Sequence, residues 1–107
     1  MNELDDKNAA EIEARRSREK AIITVRTLLV RAKQNEILLG QANERVAACE
    51  RIVARSPMEQ KYLGPTLDFW KRQRDHHQRV LNECARHDAE TRKGMTTEEI
   101  RTAIDES

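Results

Sequence analysis

The sequence predicts an all-α protein: a long antiparallel helical hairpin of coiled-coil type, with a short bent connector and a short C-terminal helix, assembling into a helical-bundle oligomer. Three observations carry this expectation. Ala21, Val25, Leu28, Ala32, Asn35, Leu39, Ala42, Val46, Cys49 and Val53 follow one another at spacings of three and four, and all but Asn35 are apolar. Such a repeat averages about 3.5 residues, so these side chains form one seam along a helix of roughly 33 residues, about 50 Å long. Ser56-Pro57-Met58-Glu59 and Gly64-Pro65 punctuate the middle of the chain. Finally, 37% of the 107 residues are hydrophobic and 36% charged, and the three aromatics, Tyr62, Phe69 and Trp70, all fall within nine residues. That inventory is thin for a rounded core; it suits elongated helices that gain further burial by self-association.

The first 20 residues form a charged extension with six acidic and five basic side chains, and Leu4 and Ile12 as its large apolar ones. Ala9, Ala10, Glu11, Glu13, Ala14 and Arg15 favour a helix from about Asn8, but no apolar face would hold it down, so a frayed tail is the alternative. The first long helix is expected over 21–55. Gly40 interrupts its composition without resetting the phase of the seam, and reads as a mild kink or a place where another backbone comes close.

Ser56 followed by Pro57 and Glu59 has the residues of a capping box, so a new helical piece is expected there. Gly64-Pro65 should end that piece, because a residue before proline avoids the α region and proline lacks a donor. The connector is therefore placed at 56–64 and the second long helix at 65–93. Gly94 closes it, and Thr96 with Glu99 forms a second capping box for a C-terminal helix and tail over 94–107, carrying Ile100 and Ile104. A connector this short folds the two long helices antiparallel. With the reversal near residue 60, Cys49 should face Trp70, Cys84 should face Asn35, and His77 should lie roughly opposite Asn43.

Charge excludes several classes. The 20 basic and 19 acidic residues leave a net charge of +1, so neither a DNA mimic nor a strongly basic nucleic-acid binder is indicated. The longest uncharged run, Ile37 to Asn43, is far too short to span a membrane, and the polar start lacks the apolar core of a secretion signal. A cytoplasmic protein with reduced thiols is expected. The predicted register holds Cys49 and Cys84 about 20 Å apart, too far to pair.

Beyond the seam, whose principal members are Val25, Leu28, Asn35, Leu39, Val46 and Val53, and its flanks Ile22, Leu29, Leu38 and Ile52, a second row recurs every seven residues on nearly the opposite side: Ile23, Val30 and Ile37. Either the tail helix or the N-terminal segment covers this ridge, or a second copy or a different protein binds there. Asn35 reads as a register device in the seam, with solvent exposure as the alternative. Tyr62, Phe69 and Trp70 cluster at the bend, either as the plug of the core or as anchors for a partner.

Residues 71–79 contain no apolar side chain. They form a wet waist between packed ends, or else a basic surface in which Lys71, Arg72, Arg74 and Arg79 beside Trp70 contact a polyanion. Seven basic and five acidic residues over 66–93 blunt that attraction, which makes nucleic acid an unlikely partner. Cys84, His87 and Asp88 lie within one turn, but His77 is about 10 Å away along the axis and no second ligand pair offers itself, so no metal site is expected. No phosphate loop, nucleophile elbow or distinctive carboxylate pair is present, so neither enzyme activity nor a cofactor is expected. The resulting expectation is a non-enzymatic helical protein that binds another protein and self-associates, a dimer being favoured, as adaptor, inhibitor, chaperone or assembly subunit. The alternative is a small nucleic-acid-binding regulator using 71–79.

Overall fold

The computed structural model describes residues 3–105, with their side chains from Asp6 onward; the side chain of Leu4 and the extreme ends of the expected N- and C-terminal segments lie outside the described residues. Three helices, α1 (Glu3–Arg55), α2 (Gln60–Arg92) and α3 (Thr97–Asp105), with a single 3-10 turn at Pro57–Glu59, make up the fold. No strand occurs among the described residues. All ten positions of the predicted seam are buried or half-buried, as expected of a stripe that keeps one face of α1 toward its neighbours.

The chain divides into two compact units, Arg31–Cys84 and Met1–Val30 with Ala85–Ser107. In the first of these, α1 and α2 run antiparallel. Near the turn, Lys71 Nζ lies 4.0 Å from Glu50 Oε1 and the Arg45 guanidinium stands 5.7 Å from the centre of the Trp70 ring; farther out, Asn35 meets His77. Ala42, Val46 and Cys49 from α1 and Val80 and Cys84 from α2 supply the buried interior. These are small side chains, and burying each removes only a modest apolar area, so stability is spread along the hairpin.

The reversal differs from the sequence expectation in three respects. Ser56 is extended (φ −140°, ψ 90°) and its hydroxyl makes no cap; instead the Glu59 N–H donates to the Ser56 carbonyl at 2.9 Å. A 3-10 turn satisfies that donor through the backbone, so the capping box at Ser56 and Glu59 does not form. The second correction concerns Gly64-Pro65, which does not end the connector: α2 begins at Gln60 and passes through Pro65. The usual clash before proline involves the Cβ of the preceding residue, and Gly64 has none, which lowers the barrier to a helical pre-proline. Third, the register departs from expectation along the hairpin: Lys71 beside Glu50 keeps the expected pairing near the turn, whereas farther out His77 meets Asn35, about two helical turns from the expected Asn43.

Of the two readings of Gly40, the close approach of another backbone is not met. Gly40 is exposed, and a Cβ built there would find nothing within 4 Å, so no backbone approaches it.

In the other unit, Val25 and Leu28 of α1 and Ala103 of α3 are buried, the first and last completely. Arg26 Nη2 reaches to 3.5 Å from the Thr102 carbonyl, linking α1 to α3. Helix α2 closes in a turn in which Gly94 N–H donates to Thr91 O at 3.3 Å and Met95 N–H to Arg92 O at 3.0 Å. The second capping box forms as expected. Glu99 N–H donates to Thr96 Oγ1 at 3.2 Å, and Glu99 Oε1 accepts from Thr96 N–H at 3.4 Å and from its hydroxyl at 2.9 Å. The charged extension is helical, with residues 6–20 all exposed.

Candidate functional site

Large apolar side chains on a helix normally face its partner, so those left in solvent show which faces the chain does not cover itself. In the unit containing α3, Ile23 is 59% and Val30 48% exposed; in the hairpin unit Ile37 is 64% exposed. The possibility that the tail helix covers these three residues is thereby removed. Helix α3 packs by Ala103, and Ile23 and Val30 stay in solvent.

Leu38 and Ile52 were expected at the flanks of the seam but are 42% and 46% exposed. Within the hairpin unit α2 is the helix that packs along this part of α1, and one helix covers a narrow stripe. Met58, which sequence reasoning passed over as part of the connector, is 85% exposed at the turn.

The aromatic corner is only partly assembled. Phe69 and Trp70 meet edge to face with ring centres 5.1 Å apart and an angle of 77°, a favourable quadrupole arrangement. Trp70 is half-buried beneath Arg45, whereas Phe69 is 45% and Tyr62 74% exposed. Tyr62 joins neither ring contact. Of the three, only Trp70 is half-buried, while Tyr62 and Phe69 face solvent. A shallow depression is lined by Trp70 with Gln41, Glu44, Arg45, Ala48 and Arg51.

The polar middle of α2 contains a hydrogen bond across the hairpin. Asn35 Oδ1 lies 3.1 Å from His77 Nδ1, and Asn35 Nδ2 donates to the Arg31 carbonyl at 2.8 Å. His76 and His77 stack edge to face at 5.3 Å. Of the four candidate polyanion contacts, Lys71 reaches toward Glu50, and Arg74 Nε lies 3.5 Å from Asp75 Oδ1. Arg72 and Arg79 are exposed and belong to none of the ion pairs found among the described residues. Positive charge on this stretch is thus half engaged by the chain's own carboxylates.

Cys84 is buried, His87 is exposed, and Asp88 Oδ2 lies 2.9 Å from Arg92 Nε. No group of three or more His, Cys, Asp or Glu side chains converges on one point among the described residues. Cys49 and Cys84 are free thiols, both buried. No helix among the described residues is long and apolar enough to cross a membrane.

Fold and surface define an all-α helical hairpin with uncovered apolar positions on both long helices. Comparison with protein-family models, curated proteins and solved structures finds no match.

Proposed function

We propose that this chain is a non-enzymatic protein-binding module that self-associates and engages another protein through the uncovered apolar positions of its long helices. One observation carries the reading: Ile23, Val30 and Ile37 are each about half exposed or more, although every position of the seam on the same helix is buried or half-buried. Branched aliphatic side chains held in water on a regular helix lose apolar transfer energy that a second helix would recover, at about 25 cal/mol per Å². Tyr62, Phe69 and Met58 at the turn add the residue types that anchor interfaces. Adaptor, inhibitor, chaperone and assembly subunit all fit this chemistry, and the two reduced thiols suit a cytoplasmic setting.

The test replaces Val30 and Ile37 by Lys. Circular dichroism should show undiminished helicity, because both residues lie off the seam, whereas light scattering and reciprocal capture of the bound partner should show loss of association, since a buried unpaired charge is costly. A folded variant that keeps wild-type mass and wild-type partners overturns the reading.

A second reading rests on Arg72 and Arg79, which face solvent outside any observed ion pair. Under it, single-stranded nucleic acid would bind along α2 with strong salt dependence. An electrophoretic shift that weakens steeply with salt and disappears in Arg72→Ala/Arg79→Ala would support it.

A further inference from the structure

We infer that one side of the hairpin unit is a groove for a third helix, an acidic amphipathic helix of another protein. The inference rests on the protein-binding reading but not on Ile23, Val30 and Ile37, which stand on a different face of α1.

Two contacts tell the sides of the hairpin apart. Glu50 reaches toward Lys71, and Arg45 stands over Trp70. By helical period Glu50 and Arg45 lie on opposite flanks of the seam residues Val46 and Cys49. The seam repeats every seven residues, and so do its flanks. On the Arg45 side, a step of seven in either direction reaches Leu38 and Ile52, both exposed large apolar side chains. On α2, Phe69 meets Trp70 edge to face, and Tyr62 stands seven residues before it; these two exposed rings form the opposite rim of the same groove. Among the described residues of the unit, no exposed large apolar side chain falls on the Lys71 side. A third helix laid between two others covers the flanks on one side only, which is the asymmetry found here.

Charge says which helix fits. Glu36, Glu50, Asp68 and Asp75 all fall on the Lys71 side. From the turn to the contact of Asn35 with His77, the Arg45 side has one carboxylate, Glu44, which lines the depression beside Trp70 together with Arg45 and Arg51. The groove is therefore net basic, with Arg45 midway between Leu38 and Ile52. Each step of seven residues rises about 10 Å. What matches is a helix with two Leu-like side chains two heptads apart and a carboxylate midway, where Asp or Glu pairs with Arg45.

The ridge of a second copy has the spacing but the wrong charge. No acidic residue stands between Lys20 and Asn35, while Arg26, Arg31 and Lys33 lie within four residues of Val30. Seating Val30 against Arg45 would set cation beside cation. Two grooves centred on one another would do the same with Arg45 and its copy.

The probe is a fluorescein-labelled synthetic helix about three heptads long, with Leu at the two outer positions and Glu midway; a twin peptide has Lys midway. Full-length wild type should bind the Glu peptide roughly tenfold or more tightly than its twin, read by anisotropy. Leu38→Asp/Ile52→Asp should weaken that binding roughly tenfold or more with circular dichroism unchanged, because both residues are exposed. Arg45→Glu should reverse the order of the two peptides, which a loss of folding cannot imitate. Val30→Lys/Ile37→Lys should bind the Glu peptide as wild type does, so failure of the groove and failure of the ridge are told apart. The inference is overturned if the Glu peptide does not bind wild type, if the twin binds equally well, or if Arg45→Glu keeps the wild-type order. Peptide binding lost in Val30→Lys/Ile37→Lys but kept in Leu38→Asp/Ile52→Asp would overturn it by placing the peptide on the ridge. Self-association lost in Leu38→Asp/Ile52→Asp but kept in Val30→Lys/Ile37→Lys would overturn it in favour of a second copy in the groove.

Discussion

His77 Nδ1 stands 3.1 Å from Asn35 Oδ1, so the one polar position in the apolar seam of α1 is met by a half-buried imidazole of α2. Apolar seams tolerate sliding by one repeat, because each small side chain finds a similar neighbour there. A polar pair does not, since a slide of one repeat leaves a partly desolvated amide without its partner. Such a pair is expected to favour one register of the hairpin over its neighbours.

The first prediction concerns the strength of that pair. In a double-mutant cycle with Asn35→Ala and His77→Ala, urea denaturation should give a coupling of about 0.5–1.5 kcal/mol, the range of a net hydrogen bond. Simple additivity of the two losses would show that the contact does not hold the register.

A second prediction separates interior from surface. Val46 is 4% exposed whereas Arg72 faces solvent outside the observed ion pairs. Val46→Asp should destabilise by several kcal/mol, since a carboxylate would be desolvated without a partner, and Arg72→Ala should stay within about 0.5 kcal/mol. Similar melting temperatures for the two variants would contradict the placement of the core.

Gly40 and Gly64 should respond oppositely to alanine, although a Cβ at either meets nothing within 4 Å beyond its own chain neighbours. At Gly40 the change should stabilise by about 0.5–1 kcal/mol through helix propensity and a less flexible unfolded chain. At Gly64 the new Cβ would crowd the ring of Pro65, so Gly64→Ala should destabilise, and the sign should reverse in a Pro65→Ala background. Thermal melts of the four variants decide the matter.

Helix α3 depends on its cap. Thr96→Ala removes the hydroxyl that accepts the Glu99 N–H, and should cost about 1 kcal/mol. Hydrogen exchange should accelerate at the α3 amides more than at those of α2, because α3 has only nine residues and so depends more on its cap.

Period and punctuation explain what the sequence made legible. The seam could be read because a stripe from Ala21 to Val53 at the helical period has one physical realisation, and the Thr96 cap because Thr and Glu three apart at a helix start can bond reciprocally. Ser56 and Glu59 have the same spacing, yet the cap there is made by a carbonyl; local composition does not say whether backbone or hydroxyl reaches a donor first. Gly64-Pro65 misled for a related reason, since the rule against helix before proline is a rule about Cβ. Exposure of Leu38 and Ile52 was hidden because it depends on how many helices surround α1, and no periodicity within α1 records that number.

Buried, unpaired thiols at both ends of the hairpin unit have a kinetic consequence. Cys49 is 9% and Cys84 3% exposed, the first close to the turn and the second at the last residue of the unit. A bulky maleimide can reach either sulfur only after α1 and α2 separate locally. The unaltered chain thus contains two internal clocks, and the ratio of their labelling rates reports whether the helices separate first around Cys84 or beside the turn.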